Sequence, residues 1–231
     1  MSTGQQYGVI VVGAGNAALT AALSAAEKGA RVLVLEKAPD YLRGGDSYFT
    51  GGLFRVAYDG MDDILDLIPE ITQEEVASMD VGSYPQSAFY SDVMRVSEGL
   101  SDPELVQVLV SESKPTMKWM RDLGVRWILA YGRQAFRHEG VLRFWGGLIV
   151  EAVGAGKGLS DRLFELAERA DLEVLYRTKA IGLLTDRRGR VVGVTLRDPE
   201  GIRDVQARSV VLACGGFQSN SEMRTRYLGP N

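Results

Sequence analysis

The sequence predicts an α/β fold: a parallel sheet with an antiparallel β-meander inserted before its last strand. Over residues 7–37, a β-branched run, a glycine turn, an Ala- and Leu-rich stretch and a second β-branched run follow one another. Short strand-like runs separated by turn residues occupy 173–207, and an apolar run ending in a double glycine covers 209–216. Strands joined through a helix form a parallel βαβ unit, whereas strands joined by tight turns pair antiparallel.

The N-terminal βαβ unit, 7–37, is the most regular part of the sequence. GVIVV at 8–12 and RVLVL at 31–35 have the continuous apolar character of strands buried on both faces, and 17–28 is rich in helix-forming residues. RGGDSYFTGG, 43–52, then forms a glycine-rich loop, too long for a simple turn and of a kind that usually serves function.

The segment 101–172 is predicted to be helical. Ser101 and Glu104 have the spacing of a capping box, and Pro115, which lacks an amide hydrogen, predicts a break in this first helix. A second amphipathic helix, over 156–172, places four apolar residues on one face: Leu159, Leu163, Leu166 and Ala167.

Composition excludes several classes of protein. The net charge of −4 argues against a nucleic-acid partner, and one cysteine with one histidine cannot build a Cys/His metal site or an intrachain disulfide. No apolar run is long enough to span a membrane, and no secretory signal precedes the first strand, so a cytoplasmic protein is expected. Cys214, after a buried strand, is expected to be structural.

A nucleotide-binding motif lies between the first strand and the first helix. Gly13, Gly15 and Ala18 fill the pattern G-x-G-x-x-G/A in the context that a Rossmann-like fold requires. Gly13 permits a tight turn, Gly15 leaves room for a pyrophosphate, and Ala18 lets the helix pack closely on the sheet. The helix N-terminus would attract the diphosphate through its free amides and its dipole.

Glu36 predicts which nucleotide is bound. It follows the second strand, 21 residues after Gly15, where a carboxylate can accept hydrogen bonds from ribose hydroxyls and would repel a 2′-phosphate. NAD or FAD is therefore favoured over NADP. An NAD domain would continue with another helix and strand, whereas this chain enters the loop 43–52, which favours FAD. An NAD-dependent dehydrogenase and a nucleotide-binding module without catalysis remain alternatives.

Several segments resemble the FAD domain of the fumarate reductase and succinate dehydrogenase flavoprotein family. They are GAGNAALTAALSAAEKGARVLVLEKAP, RGGDSYFTGG, DPELVQVLVSESKPTMKWMRDLGV and VVLACGGF. Within that family, GNAALTAAL and RGGDS are most similar to the tricarballylate dehydrogenases. The resemblance covers nearly the whole chain and implies a FAD/NAD(P)-binding fold of the glutathione-reductase type. It also implies a capping domain, with the catalytic groups, beyond residue 231.

The resemblance implies a set of cofactor-binding residues. Those for the pyrophosphate and ribose are Gly13, Ala14, Gly15, Asn16, Ala17, Ala18, Glu36 and Lys37. Those for the flavin side are Gly44, Gly45, Asp46, Ser47, Thr50, Gly51 and Gly52. Those for the adenosine side are Ala180, Ala213, Gly215 and Gly216. Covalent relatives attach the flavin to a histidine in the glycine loop; 43–52 contains none, so non-covalent FAD is expected.

The function implied is that of a FAD-dependent oxidoreductase acting on a CH–CH group of a small carboxylated substrate, with a separate electron acceptor. Tricarballylate is the leading substrate. Fumarate reduction, 3-ketosteroid dehydrogenation and the flavin-dependent part of a precorrin-3B synthase are alternatives. No catalytic acid or base is assigned within the chain.

A basic segment, 114–143, carries seven Lys or Arg residues and two acids. It could draw a polycarboxylate toward the flavin, or it could be a solvated surface. Arg133, Arg137 and Arg143 are the candidate substrate residues, because guanidinium groups grip carboxylates bidentately. His138 could serve as an acid or base, and Trp145 could stack near flavin or substrate; a surface histidine and a packed tryptophan are the alternatives.

Overall fold

The computed structural model describes residues 7–147 and 149–229. The chain divides into two compact units. The first combines the N-terminal part, to Tyr48, with the C-terminal part, from Leu163, and the second is Phe49–Arg162.

The strands, in chain order, are β1 (Tyr7–Val12), β2 (Val32–Leu35), β3 (Leu53–Phe54), β4 (Met79–Asp80), β5 (Trp127–Leu129), β6 (Ala135–His138), β7 (Val141–Phe144), β8 (Val150–Ala152), β9 (Glu173–Leu175), β10 (Lys179–Thr185), β11 (Val191–Asp198) and β12 (Gly201–Leu212). The helices are α1 (Asn16–Glu27), α2 (Met61–Leu67), α3 (Gln73–Ser78), α4 (Gln86–Val96), α5 (Pro103–Asp122), α6 (Tyr131–Gln134), α7 (Ala155–Arg169) and α8 (Ser221–Leu228). Two short 3-10 helices, Asp40–Leu42 and Gly45–Phe49, lie between β2 and β3.

The first unit contains a six-stranded sheet with the order β10-β11-β12-β1-β2-β9. The strands β12, β1, β2 and β9 are parallel, while β10, β11 and the first half of β12 form the antiparallel meander. The fold class predicted from sequence is confirmed. The hydrophobic core of this unit contains side chains from both the parallel strands and the meander. They form one buried cluster: Ile10, Val12, Leu33, Leu35, Val194, Leu196 and Ala207.

Two boundaries of the predicted meander were wrong. Residues 173–175 form β9, which pairs in parallel with β2 rather than joining the meander. It follows the helix α7, and a helical crossover delivers a parallel strand. The predicted closing strand 209–216 is the second half of β12, which pairs with β11 over 201–206 and with β1 from Ala207. It ends at Leu212, and Gly215, with φ of +68°, belongs to a loop.

The second unit contains two three-stranded sheets, β3-β8-β5 and β4-β7-β6, with the helices α2 to α6. The prediction of a helical segment over 101–172 was therefore wrong in part: its two helices form α5 and α7, but β5, β6, β7 and β8 lie between them. These strands are three or four residues long. Runs so short carry too little periodicity to be recognised in a sequence.

Helix α5 runs through Pro115 without a break, contrary to prediction. Val110 on one side of the proline and Met117 and Met120 on the other are all buried, so packing holds both halves in one helix. The predicted capping box is also wrong: Asp102 is the N-cap residue, and its side chain accepts hydrogen bonds from two backbone amides. The apolar face predicted for the helix 156–172 is confirmed, since its four residues are buried in α7.

Within the described ranges, none of the helices combines the length and the hydropathy needed to cross a bilayer. The same residues contain no group of three or more His, Cys, Asp or Glu side chains that could hold a metal ion.

Candidate nucleotide-binding site

A cleft of about 430 Å³ lies in the first unit, at the carboxyl ends of the parallel strands β1, β2 and β12. Open parallel sheets bind ligands at this edge, and small-molecule sites span roughly 300 to 1,000 Å³. Its lining is Val12, Gly13, Ala14, Gly15, Asn16, Ala17, Leu35, Glu36, Lys37, Gly45, Asp46, Ser47, Thr178, Lys179, Ala180, Ala213, Cys214, Gly215, Gly216 and Ser219. The motif after β1, the acid after β2 and the loop after β12 thus meet in one place.

Gly13 forms the turn that brings two strand ends together. Its φ of +106° lies in the left-handed region, and a Cβ atom there would lie 2.5 Å from the carbonyl oxygen of Ala213. The Gly13 amide donates to Leu35 at 2.8 Å, and the Ala213 amide donates to Val12 at 2.9 Å. Only glycine fits both the backbone conformation and the available space.

The N-terminus of α1 opens onto the cleft. Its N-cap residue, Gly15, supplies no side-chain cap, and the Asn16 amide donates to the Ser47 hydroxyl at 3.0 Å. The side-chain oxygen Oδ1 of Asn16 is buried, with no hydrogen-bond partner among the described residues. Ala18 is fully buried and does not line the cleft, as the close packing of α1 requires.

Glu36 is fixed at the cleft by the backbone around it. Oε2 accepts a hydrogen bond from the Ala14 amide at 3.0 Å, and Oε1 accepts one from the Ala38 amide at 2.8 Å. Glu36 is only 8% exposed. Each carboxylate oxygen keeps further acceptor capacity, so the side chain can still take hydroxyl donors from a ligand.

The loop 43–49 contributes Gly45, Asp46 and Ser47 to the cleft, whereas Gly44 is buried outside its lining. Arg43 anchors the start of this loop. Its guanidinium lies 4.1 Å from the ring centre of Phe164, donates to the Tyr176 hydroxyl at 3.2 Å and pairs with Glu168 at 3.5 Å.

Thr50, Gly51 and Gly52 belong to the second unit. The Thr50 carbonyl accepts from the Gly156 amide, at the start of α7, at 3.0 Å. Gly52 has φ of +68°, and a Cβ atom there would lie 2.7 Å from the carbonyl carbon of Ala155. These residues pack against the junction of β8 and α7, so glycine is required at 52 by both conformation and space.

Sequence reasoning missed several residues of the cleft: Thr178, Lys179, Cys214 and Ser219, with the strand residues Val12 and Leu35. Thr178 and Lys179 directly precede Ala180, which was the available signal. The expectation for Cys214 was wrong, because its side chain is exposed and lines the cleft. The strand ends at Leu212, so the thiol lies in the loop and not in the core.

The three candidate arginines lie in the second unit, and two of them have polar partners of their own. Arg137 donates to the Gly140 carbonyl of its own hairpin at 3.2 Å, and Arg143 lies 3.8 Å from Asp80. Arg133 has no side-chain hydrogen bond to any residue that the structure describes. Its Nη1 would lie 1.9 Å from a Cβ atom placed on Gly51.

The two other candidate residues, His138 and Trp145, have exposed side chains. His138 lies at the end of β6, and its Nδ1 is 3.9 Å from Glu139. Trp145 is 61% exposed, and its ring stacks on Phe136 with 4.4 Å between the ring centres.

Comparison with known proteins identifies the family. The family model described as FAD binding domain matches residues 8–230. The chain is 30% identical over 227 residues to fumarate reductase (cytochrome) of Shewanella frigidimarina, covering 96% of this chain and 35% of that protein. It is 32% identical over 231 residues to urocanate reductase of Eggerthella lenta, covering 95% and 33%.

The open conformation of a flavocytochrome c3 fumarate reductase has a similar structure, with a TM-score of 0.70 and 26% identity over 97% of this chain and 36% of that one. The chain thus spans about a third of the length of the curated relatives it matches. From the family match over nearly its whole length, this chain belongs to the FAD binding domain family of oxidoreductases, and its cofactor is FAD.

Proposed function

We propose that this chain is the nucleotide-binding part of a FAD-dependent oxidoreductase acting on a CH–CH unit of a carboxylated substrate. The observation that carries the proposal is the cleft in which the Gly13 turn, the start of α1 and Glu36 meet. The named substrates of the two relatives, fumarate and urocanate, are both unsaturated carboxylates, which supports the substrate class.

The residues of the cleft fit a dinucleotide. The buried, unpaired Oδ1 of Asn16 needs a donor, and a ligand rich in hydroxyl groups supplies donors. We assign the pyrophosphate to Gly13–Ala18 and the ribose to Glu36 and Lys37. We assign the adenosine to Thr178–Ala180 and 213–216, and the flavin half to 44–47 and 50–52.

FAD, when bound, supplies the hydride chemistry of the reaction. The part of this chain is to bind and orient it. The amides at the start of α1 face the negative charge of the pyrophosphate, while Glu36 selects an unmodified ribose. Residues 43–52 contain no histidine, so the attachment is non-covalent.

Among the three arginines predicted for the substrate, Arg133 is the strongest proposal. It is exposed and lies against Gly51 in the glycine-rich loop, whereas Arg137 and Arg143 already have partners. Tricarballylate is the leading substrate proposal. It is supported by the resemblance of the segments GNAALTAAL and RGGDS to the tricarballylate dehydrogenases. Fumarate, a 3-ketosteroid and a precorrin remain alternative substrates, and the electron acceptor is a separate molecule.

The test is the visible absorption spectrum of the purified chain, recorded before and after acid precipitation. We expect flavin bands that move to the supernatant, because the attachment is non-covalent. Bands that stay with the precipitate would contradict non-covalent binding. A protein that remains colourless after FAD is added, but whose fluorescence is quenched by NADH, would contradict the assignment and favour an NAD-dependent enzyme.

A further inference from the structure

Arg55 is held in a defined position just after β3, in the second unit. The amide of Val56 donates to the Gly147 carbonyl at 3.2 Å, which fixes the backbone beside it. Gly147 has φ of +60°, and a Cβ atom there would lie 2.7 Å from Arg55 Nη1 and 2.6 Å from the Tyr84 ring. The absence of a side chain at 147 therefore makes room for both groups.

Tyr84 and Asp92 orient the guanidinium from one side. Arg55 Nη1 donates to the Tyr84 hydroxyl at 2.9 Å, and this hydroxyl donates to Asp92 Oδ2 at 2.7 Å. Tyr84 is buried, and its backbone exchanges two hydrogen bonds with Tyr58. Burial and the hydrogen bond to Asp92 raise the pKa of Tyr84, so its proton stays in the network.

Asp92 compensates the charge of Arg55 only in part. Its Oδ1 accepts from Arg95 Nη2 at 2.8 Å and its Oδ2 accepts from Tyr84, while Arg55 lies 3.9 Å away. Two cations thus share one carboxylate. The short contact with the acid belongs to Arg95 and not to Arg55.

One edge of the Arg55 guanidinium is available to a ligand. Both its hydrogen bond and its closest approach to Asp92 involve Nη1. Nε and Nη2 have no hydrogen-bond partner among residues 7–147 and 149–229, and the side chain is 37% exposed. The N–H groups of such an edge match the two oxygens of a carboxylate.

We propose that the Nε–Nη2 edge of Arg55 binds a carboxylate group of the substrate, with Tyr84 and Asp92 as positioning residues. The choice of an organic carboxylate rests on the proposed function. Arg55 was not among the arginines predicted from sequence, because it lies outside the basic segment and its environment depends on Gly147 and Tyr84.

The binding test is calorimetric titration of the chain with tricarballylate, using its neutral triamide as the reference ligand. Replacing the guanidinium removes a charge-assisted bidentate contact, so Arg55→Met is expected to weaken tricarballylate binding by about tenfold to a hundredfold. Arg55→Lys should recover only part of the affinity, because lysine lacks the planar edge. Arg126→Met is the matched control: it removes an exposed arginine of the same unit that pairs with Glu70.

Unchanged affinity in Arg55→Met, or no binding of tricarballylate to the wild-type chain, would overturn the proposal. The flavin spectrum of each variant is recorded in parallel. A chain that binds the carboxylate through Arg55 but takes up no FAD contradicts the proposed function alone. A chain that binds FAD while Arg55→Met keeps full carboxylate affinity contradicts only the role of Arg55.

A second measurement needs no substitution at Arg55. Phenylglyoxal modification of the wild-type chain, read by peptide mass spectrometry, should be slowed at Arg55 by tricarballylate and not by the triamide. Equal protection by inorganic phosphate would overturn the assignment to an organic carboxylate. In Tyr84→Phe the guanidinium loses its hydrogen-bonded support, so tricarballylate should protect Arg55 less well than in the wild type; undiminished protection would remove Tyr84 from the site.

Discussion

The carboxylate of Glu36 accepts a hydrogen bond from the backbone amide of Ala14 at 3.0 Å, across 22 positions of sequence. The acid that follows β2 is thereby tied to the glycine turn that follows β1. Its other oxygen is tied to Ala38. Glu36 was predicted only as a ligand for the ribose. It therefore also fixes the position of the loop after β1 relative to the loop after β2, on either side of the proposed nucleotide.

This double role predicts that Glu36→Gln lowers both stability and FAD affinity. Glutamine has one side-chain acceptor oxygen, so the Ala14 or the Ala38 amide loses its partner, at about 1 to 3 kcal/mol of unfolding free energy. FAD affinity should fall by about tenfold, measured by flavin fluorescence titration. Glu200→Gln, at an exposed turn, is the control. Unchanged urea unfolding in Glu36→Gln would show that the two amides do not need the carboxylate.

Gly13 and Gly29 form a pair that separates crowding from backbone strain. Both have positive φ, +106° and +78°, but only at Gly13 would a Cβ atom meet another group, the Ala213 carbonyl. Gly29→Ala should lose about 1 to 2 kcal/mol of stability, the usual penalty for the left-handed region, and keep FAD. Gly13→Ala should lose more and release FAD. Stability is measured by urea unfolding. Equal loss of stability in the two variants would mean that the turn after β1 can shift to accommodate a Cβ atom beside the Ala213 carbonyl.

Arg43 should matter for the cofactor although it does not line the cleft. It contacts Phe164, Tyr176 and Glu168, and it directly precedes the loop residues proposed to hold the flavin half. We expect Arg43→Ala to weaken FAD binding about tenfold, and Arg43→Lys to recover little, because stacking on an aromatic ring with a simultaneous hydrogen bond needs the planar group. Full recovery in the lysine variant would reduce the role of Arg43 to its charge.

The parts of the fold that the sequence predicted are those in which local pattern and tertiary structure agree. Residues 7–37 alternate between β-branched and helix-forming stretches that glycines separate, and they form β1, α1 and β2 within one or two residues of the prediction. The turn between β10 and β11, within the predicted run of strands and turns at 173–207, has the same local basis. The Asp186 carboxylate accepts hydrogen bonds from the Arg188 and Arg190 amides, so these bonds are made within the turn itself.

The parts that the sequence did not predict depend on distant contacts. A three-residue strand such as β9 is defined by its pairing with β2, and β12 is one strand because β11 and β1 bind its two halves. Pro115 is tolerated because buried side chains on both sides hold α5. In the cleft, the motif predicted Gly13 and Glu36, but the place of Thr178 and Cys214 follows from how β10 and the loop after β12 approach them.

The buried Tyr58 predicts a loss of stability at high pH. Its hydroxyl donates to the Val81 carbonyl at 2.8 Å, and burial raises its pKa from 10.0 to about 12. The unfolded chain therefore releases this proton first, and the unfolding free energy should fall as pH rises from about 10 to 12, by up to about 3 kcal/mol from this residue.

Tyr58→Phe lacks the ionising group, so its stability, although lower at neutral pH, should fall less steeply in that range. Some slope should remain because the pKa values of Tyr7, Tyr84 and Tyr131 are also raised. Tyr41→Phe, at an exposed position, should follow the wild type in urea unfolding across the same range. Parallel curves for the wild type and Tyr58→Phe would mean that Tyr58 ionises equally well in the folded protein.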